Sequence, residues 1–159
     1  AASDVYKRQI YNVLLSLFLM TMISSCLKAG LEELPAYEDA DITNFKFEYR
    51  WFDDAKNRMC VEQMTVKTII DKENLIVTCD ITVPKADDDF PKEIRDGVSL
   101  SNLVGYCDIS TAAVIAPVGD SPKLGEIQDF STQNEMSYKV TAANGDSKTW
   151  TLKIDSFNK

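Results

Sequence analysis

A cysteine at position 26 stands where a bacterial leader could be cleaved and the new N-terminus joined to lipid. Cys26 follows an apolar run, Val13–Ile23, and two serines, and a basic pair, Lys7 and Arg8, precedes that run. A basic segment, an apolar segment and small residues, in this order, are typical of a secretory signal. We therefore expect residues 1–25 to be a signal peptide and Cys26 to become the lipidated first residue of the mature protein.

Two other interpretations of this leader stay open. The first is a secretory signal without lipid, followed by a chance cysteine. The second is a membrane span, which is weaker because the apolar run Val13–Ile23 is short, whereas a helix needs about 20 residues to cross about 30 Å of hydrocarbon. Residues 1–9 resemble translated sequencing-adaptor sequence, so Lys7 and Arg8 belong either to that stretch or to the natural leader.

Trp51 is the aromatic side chain best placed to bind a ligand. It ends an alternating run in which Phe45, Phe47 and Tyr49 share its parity. Trp51 and Tyr49 could form a platform that stacks on the apolar face of a sugar ring. The alternative is that both fill the core with Phe45 and Phe47, since residues two apart in a strand lie on one face. We keep Trp51 as a candidate ligand-binding residue because it ends the run.

The acidic run Asp87, Asp88 and Asp89 is the second candidate ligand site. Carboxylate oxygens are the ligands that Ca²⁺ prefers, and Asp53 and Asp54 are further acids that could join them, as could Asp120. The alternative is a solvated acidic loop, because a cation site needs ligands from several loops. We therefore expect neither a metal nor another cofactor.

The composition disfavours catalysis and nucleic-acid binding. The chain has no histidine, which removes the usual general base of serine and cysteine hydrolases. Paired carboxylates could hydrolyse glycosides, but no spacing selects one pair among 25 acidic residues. The net charge of −8 opposes binding to phosphate backbones. We expect no enzyme, no catalytic residues and no nucleic-acid partner.

Three further cysteines, Cys60, Cys79 and Cys107, cannot all pair with one another. Their spacing matches neither a disulfide framework nor a zinc motif. Buried free thiols are the favoured interpretation. If a disulfide forms, Cys107 must be a partner, because Cys60 and Cys79 are predicted to lie too far apart on neighbouring strands.

Alternating hydrophobicity after residue 41 predicts an all-β domain. Residues 26–41 are predicted to be a lipidated tether, and residues 42–156 an immunoglobulin-like β-sandwich of about seven strands. The predicted strands are Thr43–Trp51, Met59–Ile70, Leu75–Val83, Val104–Ser110, Ala113–Pro117, Met136–Ala142 and Lys148–Ile154. Pro84–Asp96 is predicted to be a polar connection.

Two hairpins have a predicted register. The loop 71–74 would place Ile70 opposite Leu75 and Cys79 opposite Val66. In the last hairpin a three-residue loop, 143–145, would place Tyr138 opposite Trp150, with Gly145 in the left-handed conformation that such loops need.

The C-terminal half resembles a known family. Its motifs are Asp129-Phe130-Ser131, then Tyr138-Lys139-Val140-Thr141-Ala142, then Gly145, then Lys148-Thr149-Trp150-Thr151. This series is similar to the immunoglobulin-like or cadherin-like domains of unknown function in Bacteroidetes lipoproteins. The resemblance implies a β-sandwich and supplies no catalytic residues. Asp129–Ser131 is predicted to be a turn, with Phe130 anchored in the core.

The leader and the resemblance together predict where the protein acts. We expect an outer-membrane lipoprotein, held by lipid at Cys26 on the periplasmic or the cell-surface face. We expect it to be a non-catalytic protein-binding, spacer or assembly module with an envelope protein as partner. The alternative is an accessory lipoprotein that binds surface glycans for a polysaccharide-utilisation system.

Overall fold

The computed structural model describes residues 36–159 and, before them, Lys7, Gln9, Ile10, Val13 and Leu14. The chain divides into two units, Ala1–Pro35 and Ala36–Lys159. The described residues of the first unit are helical and exposed. Cys26, the predicted cleavage site before it and most of the predicted tether lie outside the described residues. No described helix is long and apolar enough to cross a bilayer.

The second unit is a β-sandwich, which confirms the predicted all-β class. Between residues 36 and 159 the chain forms nine strands, more than the seven predicted. They are β1 (Ile42–Asp53), β2 (Arg58–Gln63), β3 (Thr65–Asp71), β4 (Ile76–Thr82), β5 (Leu103–Ile109), β6 (Val114–Val118), β7 (Ile127–Gln128), β8 (Met136–Thr141) and β9 (Ser147–Asn158). A short helix, α1 (Lys92–Asp96), and a 3-10 turn (Leu100–Asn102) precede β5.

The strands form two sheets. One has the order β2-β1-β5-β7 and the other β3-β4-β9-β8-β6. Neighbouring strands are antiparallel except for β4 and β9, which are parallel. The inner faces carry the core, where Phe45 of β1 lies 6.0 Å from Tyr138 of β8 between ring centroids. Alternate side chains of β1 point inward, so Phe45 and Phe47 are buried between the two sheets.

The predicted strand Met59–Ile70 is wrong as a single strand. The chain leaves the first sheet after β2 and enters the second as β3. Met64 lies between the two, is buried, and donates its backbone N–H to the carbonyl of Phe47 at 2.9 Å.

The predicted register of the first hairpin is also wrong. Ile70 pairs with Val77 and Cys79 with Thr68. The loop spans residues 72–75, because Leu75 adopts a positive φ of 57° instead of opening the next strand. The Asp71 carboxylate stabilises this loop by accepting the backbone N–H groups of Glu73 and Asn74, each at 3.0 Å.

The last hairpin has the predicted register. Tyr138 pairs with Trp150, and Gly145 has a φ of 96° within the three-residue loop. Both aromatic side chains are fully buried. The Tyr138 hydroxyl donates to the carbonyl of Pro122 at 2.8 Å, and the Trp150 indole N–H donates to the carbonyl of Ala40 at 3.0 Å. Each polar atom is therefore satisfied inside the core.

The Asp129-Phe130-Ser131 turn also has the predicted form. One oxygen of the Asp129 carboxylate accepts the backbone N–H of Ser131 at 2.8 Å and its hydroxyl at 2.6 Å. Phe130 is buried and contacts Phe47 edge-on, with ring centroids 5.1 Å apart. The motif is therefore a structural turn that locks an aromatic side chain into the sandwich.

The predicted polar connection Pro84–Asp96 contains helix α1. Pro91 precedes the helix, and its fixed φ suits a helix start. Arg95 holds the helix against the connection by donating its Nε to the carbonyl of Pro84 at 2.6 Å. This helix supplies one side of the cleft described next.

Candidate functional site

A cleft of about 350 Å³ lies where β1 ends beside α1. Its apolar wall consists of Trp51 and Phe52 from the end of β1, Pro91 before the helix, and Ile94 within it. We call this cavity the Trp51 cleft. It lies between the last residues of β1, which are paired with β2, and a helix more than 35 positions later in the sequence.

Trp51 is held in the wall by two aromatic neighbours. Its ring stacks on Tyr49, with centroids 6.0 Å apart and an interplanar angle of 19°. It also contacts the buried ring of Phe90 at 5.6 Å. Trp51 was expected either to bind a ligand or to fill the core. It is half-buried, so it packs against the core and also lines the cleft. Neighbours that fix the ring reduce the entropy lost on ligand binding.

The rim of the Trp51 cleft is acidic. Asp53, Asp54, Asp89 and Glu93 line it together with Lys56. Lys56 Nζ lies 3.6 Å from Asp53 Oδ2 and 3.5 Å from Asp89 Oδ1, so one lysine is shared between two carboxylates. The backbone N–H of Lys56 donates to Asp53 at 3.0 Å and is the main reason that the pKa of this carboxyl is lowered. Asp53 is therefore ionised at neutral pH.

The acidic run separates into three different roles. Asp89 lines the cleft with Trp51, so the structure brings together one residue from each candidate site. Asp87 instead stabilises the turn, because its Oδ1 accepts the backbone N–H groups of Asp89 at 2.9 Å and Phe90 at 2.8 Å. Asp88 is exposed and does not line the cleft.

The three aspartates do not converge on one point. Nor do three or more acidic or cysteine side chains anywhere in the described residues form a group that could hold a metal ion. Asp53 and Asp54, considered as possible partners of the acidic run in a cation site, do lie with Asp89 on the cleft rim. Asp120 does not line the cleft.

A second polar cluster, absent from the sequence-based candidates, lies on the outer face of the first sheet. Glu48 is only 7% exposed there. Its carboxylate accepts Arg50 Nε at 2.6 Å, Gln63 Nε2 at 2.7 Å and the Tyr106 hydroxyl at 3.0 Å. Arg50 also bonds to Tyr106 and lies over its ring. Every hydrogen-bond partner of this carboxylate belongs to the same sheet, so we interpret the cluster as a structural network.

The sequence contains a signal for this network. Glu48 and Arg50 are two apart in a strand and therefore share a face, and Gln63 is paired with Glu48 across β1 and β2. Tyr106 is on β5, where it pairs with Lys46. Recognising the network would have required the strand pairing, which periodicity does not provide.

The three described cysteines are free thiols. Burial raises the pKa of Cys79 to about 11 and that of Cys107 to about 12. A thiol with so high a pKa is almost entirely protonated at neutral pH and is a poor nucleophile. Cys60 is paired with Trp51 on the edge strand β2.

A solved structure shares this fold and much of the sequence. It is the crystal structure of a predicted secreted protein from Bacteroides fragilis, which is 37% identical to this chain, with a TM-score of 0.70. The alignment covers 79% of this chain and 100% of that one. No curated protein matches the chain.

A family model described as DUF5018-related matches residues 42–153, from the first residue of β1 into β9. The matched region includes the Trp51 cleft, the Glu48 network and the last hairpin. It spans well over half of the sequence, and so the chain belongs to the DUF5018-related family.

Proposed function

We propose that the protein is a non-catalytic binding module of the bacterial envelope, which docks onto another envelope protein through the Trp51 cleft. The observation that carries this proposal is the cleft itself. An aromatic wall and a charged rim meet at the end of a central strand. Ligand sites in proteins are concave, largely apolar and furnished with a few polar groups.

The scaffold beneath the cleft supports a binding role. β1 is paired with β5 from Ile42 to Tyr49 and with β2 from Glu48 to Asp53. Trp51 rests on Tyr49 and Phe90, and Asp87 fixes the turn that carries Asp89. Because strands and packed aromatic rings hold the site, its geometry is formed before a ligand arrives, which lowers the free energy spent on ordering.

The acid chemistry of the cleft favours binding over hydrolysis. A general acid in a glycosidase needs a raised pKa, whereas the pKa of Asp53 is lowered. Burial raises the pKa of the Glu62 carboxyl, but Glu62 does not line the cleft. With no histidine in the chain, the cleft has no evident proton-transfer pair.

The proposed address is the outer membrane of a Bacteroidetes-type bacterium, with lipid at Cys26 and the domain on the periplasmic or the surface face. The order of the leader and the similarity to a predicted secreted protein support this placement. The test is the intact mass and detergent partition of the chain expressed in a Bacteroides-type host, beside Cys26→Ala. An acylated mass that disappears in the variant supports the anchor, and an unmodified wild-type chain contradicts it.

The binding role is tested by cross-linking the lipidated chain in intact cells and identifying the partner by mass spectrometry. We expect one cross-linked envelope protein, and we expect Trp51→Ala and Phe52→Ala each to abolish its cross-link. Phe52→Ala should disturb the fold less, since Phe52 is exposed on the cleft wall. Val114→Ala, which changes an exposed side chain of the second sheet, is the matched control. A partner retained by both cleft variants contradicts docking through the cleft.

A glycan array probed with the same proteins covers the alternative. Reproducible glycan binding that is lost in Trp51→Ala, without any cross-linked protein, would identify a glycan-binding accessory protein and overturn the proposed docking role. The folded state of each variant is checked by its thermal unfolding midpoint, so that a lost partner is not confused with a lost fold.

A further inference from the structure

We propose that the Trp51 cleft receives a lysine or arginine side chain from a basic segment of its partner. This inference rests on the proposed function, because it specifies the chemistry of the group that the partner inserts. Three properties of the lining support it: its charge, its balance of hydrogen-bond donors and acceptors, and the position of its aromatic rings.

The charge of the lining is strongly negative. Four carboxylates, Asp53, Asp54, Asp89 and Glu93, are opposed by Lys56 alone, so the lining carries a formal charge of −3. The whole chain carries −8, and a large part of that excess is therefore concentrated around one cleft. Partly enclosed walls of one sign attract a group of opposite charge and raise its association rate.

Lys56 does not neutralise this lining. It is shared between Asp53 and Asp89 at distances of 3.6 and 3.5 Å, long for charge-assisted hydrogen bonds. Asp54 and Glu93 are exposed and take part in none of the salt bridges of the described residues. Two carboxylates on the rim are thus available to an incoming cation without breaking an existing ion pair.

The lining offers many acceptors and few donors. Its four carboxylates accept hydrogen bonds only, and its side-chain donors are the ammonium of Lys56 and the indole N–H of Trp51. A neutral sugar hydroxyl both donates and accepts hydrogen bonds. Its donor could pair with a carboxylate oxygen of the lining, but its acceptor lone pairs would find few donors there. An ammonium or guanidinium group donates only, and it therefore matches the lining more completely.

The aromatic wall suits the same group. A cation within about 6 Å of an indole or phenyl face is attracted by the ring, and the rings of Trp51 and Phe52 belong to residues that line the cleft. Pro91 and Ile94 offer apolar surface for the methylene stem of a long basic side chain. The volume of about 350 Å³ lies at the low end of ligand sites, about 300–1,000 Å³, which suits one inserted side chain.

The two tryptophans of the chain make a direct test possible. The full chain labelled with 5-fluorotryptophan gives two ¹⁹F resonances, from Trp51 in the cleft and from fully buried Trp150. The probes are a glycine–serine nonapeptide with two lysines, its arginine counterpart and its glutamate counterpart, with cellobiose and maltose as neutral sugars. We expect the two basic peptides to shift the Trp51 resonance and leave the Trp150 resonance in place, and the glutamate peptide to shift neither.

Charge variants test the role of the rim. Asp54→Asn combined with Glu93→Gln should weaken the binding of the basic peptides by about tenfold, since two exposed carboxylates that would contact the cation are lost. Asp120→Asn combined with Glu126→Gln removes the same charge from exposed sites outside the cleft and is the matched control. Equal weakening in both double variants would overturn the inference, because it would show attraction by net charge alone.

The outcomes separate this inference from the proposed function. If the basic peptides leave the Trp51 resonance unmoved while the cross-linked partner is still lost in Trp51→Ala, the inference fails and docking through the cleft stands. If cellobiose or maltose shifts the Trp51 resonance and the basic peptides do not, both fail in favour of glycan binding. A shift by the basic peptides that weakens as salt is raised, and that is reduced only by the rim variant, supports the inference.

Discussion

Gly145 shows how one residue sets a register. Its φ of 96° lies in a region that disfavours side chains, and an added Cβ would meet no atom within 4 Å. The cost of a substitution here is therefore conformational and not steric. We expect Gly145→Ala to lower the free energy of unfolding by about 1 kcal/mol or more, measured by urea denaturation. Gly145→Asn, which tolerates positive φ better, should lose less, and equal losses would contradict a conformational cause.

Glu48 differs from Gly145, because its contribution to stability depends on the side chains that donate hydrogen bonds to it. It is nearly buried on the outer face of the first sheet, and its carboxylate accepts hydrogen bonds from Arg50, Gln63 and Tyr106. Removing a carboxylate of this kind leaves donors without a partner and a cation without its counter-charge, and such losses exceed the net worth of the original bonds.

The prediction for this network is a large loss with clear coupling. Glu48→Ala should lower the free energy of unfolding by about 2–3 kcal/mol, whereas Glu48→Gln should cost less, because the amide oxygen still accepts. In a double-mutant cycle with Tyr106→Phe, urea unfolding should give less than the sum of the single losses, since both changes remove one hydrogen bond. Additive losses would show that the two side chains act independently.

Single residues could be selected from the sequence, but their groupings could not. Trp51 and Asp89 were predicted as ligand-binding residues from their types, and they meet in one cleft. Asp87 and Asp88 have the same chemistry, yet one makes a turn and the other faces solvent. Which of three adjacent carboxylates faces Trp51 depends on a turn and on helix α1, and neither leaves a period in the sequence.

At the scale of elements, alternation identified faces and not sheets. In the region Met59–Ile70, even-numbered residues point inward in both β2 and β3, so the pattern runs unbroken across Met64. The chain nevertheless changes sheet there. Because the two inner faces of a sandwich enclose one core, a strand that crosses from one to the other keeps its period. A single strand was therefore predicted where two exist.

The first hairpin shows a related limit. Its register differs from the prediction by two residues, with Ile70 opposite Val77 instead of Leu75. A slip of two leaves every side chain on its predicted face, whereas a slip of one would reverse them. The buried positions Val77, Cys79 and Ile81 were thus predicted correctly from a wrong register. The loop length depended on Leu75 adopting a positive φ, which leucine rarely does.

The pairing of β1 with β5 depends on a glycine for space. Gly105 lies opposite Phe47, and a Cβ placed on it would lie 2.8 Å from Phe130 Cζ and 3.3 Å from Leu124 Cδ2. Phe130 in turn packs edge-on against Phe47. The absence of a side chain at position 105 thus leaves space for the Phe130 ring of the Asp129–Ser131 turn to pack against β1 and β5.

Gly105→Ala should therefore destabilise the fold by overpacking. We expect a loss of about 1–3 kcal/mol in the free energy of unfolding, measured by urea denaturation. Phe130→Leu alone should also cost stability, because it removes buried aromatic surface. In the Gly105→Ala background, however, Phe130→Leu should cost less than it does in the wild type, since the smaller side chain relieves the clash. The same loss in both backgrounds would mean that the alanine is accommodated elsewhere.

At the scale of the whole molecule, sequence predicted the class and not the topology. The parallel pairing of β4 with β9 joins the first hairpin to the last one, although 64 residues, 83–146, separate the two strands. Val77 lies beside Leu152, and both are buried. An alternating apolar pattern is compatible with many different pairs of neighbouring strands. The choice depends on which arrangement buries all inner faces together, and no local window of the sequence contains that information.

Asp41 connects several of these parts just before β1. Its carboxylate accepts Lys148 of β9 at 2.6 Å and Lys72 of the first hairpin loop at 2.9 Å. Its backbone carbonyl accepts the N–H of Ser110, beyond the end of β5, at 2.9 Å. The hydrogen bond from Lys148 is the main reason that the pKa of Asp41 is lowered, followed by the bond from Lys72.

The lowered pKa predicts how stability depends on pH. A carboxyl whose pKa is lower in the folded state stabilises the fold above its unfolded value of about 3.9, and that contribution is lost as pH falls through the folded pKa. Asp41→Asn should therefore reduce the free energy of unfolding at pH 7 and reduce it less at about pH 2.5, which flattens the acid limb of the profile. Urea denaturation at a series of pH values measures this.

Asp155→Asn is the matched control, because it removes an exposed acid of β9 that has no lysine contact among the described residues. Its profile should follow that of the wild type, apart from a small offset caused by net charge. If Asp41→Asn lowers stability equally at both ends of the pH range, the contribution of Asp41 is its backbone position and not its ion pairs. If Asp41→Asn instead lowers stability at pH 7 and has little effect in acid, the ion pairs of the Asp41 carboxylate with Lys148 and Lys72 stabilise the fold. Protonation of this carboxylate then contributes to acid unfolding of the sandwich.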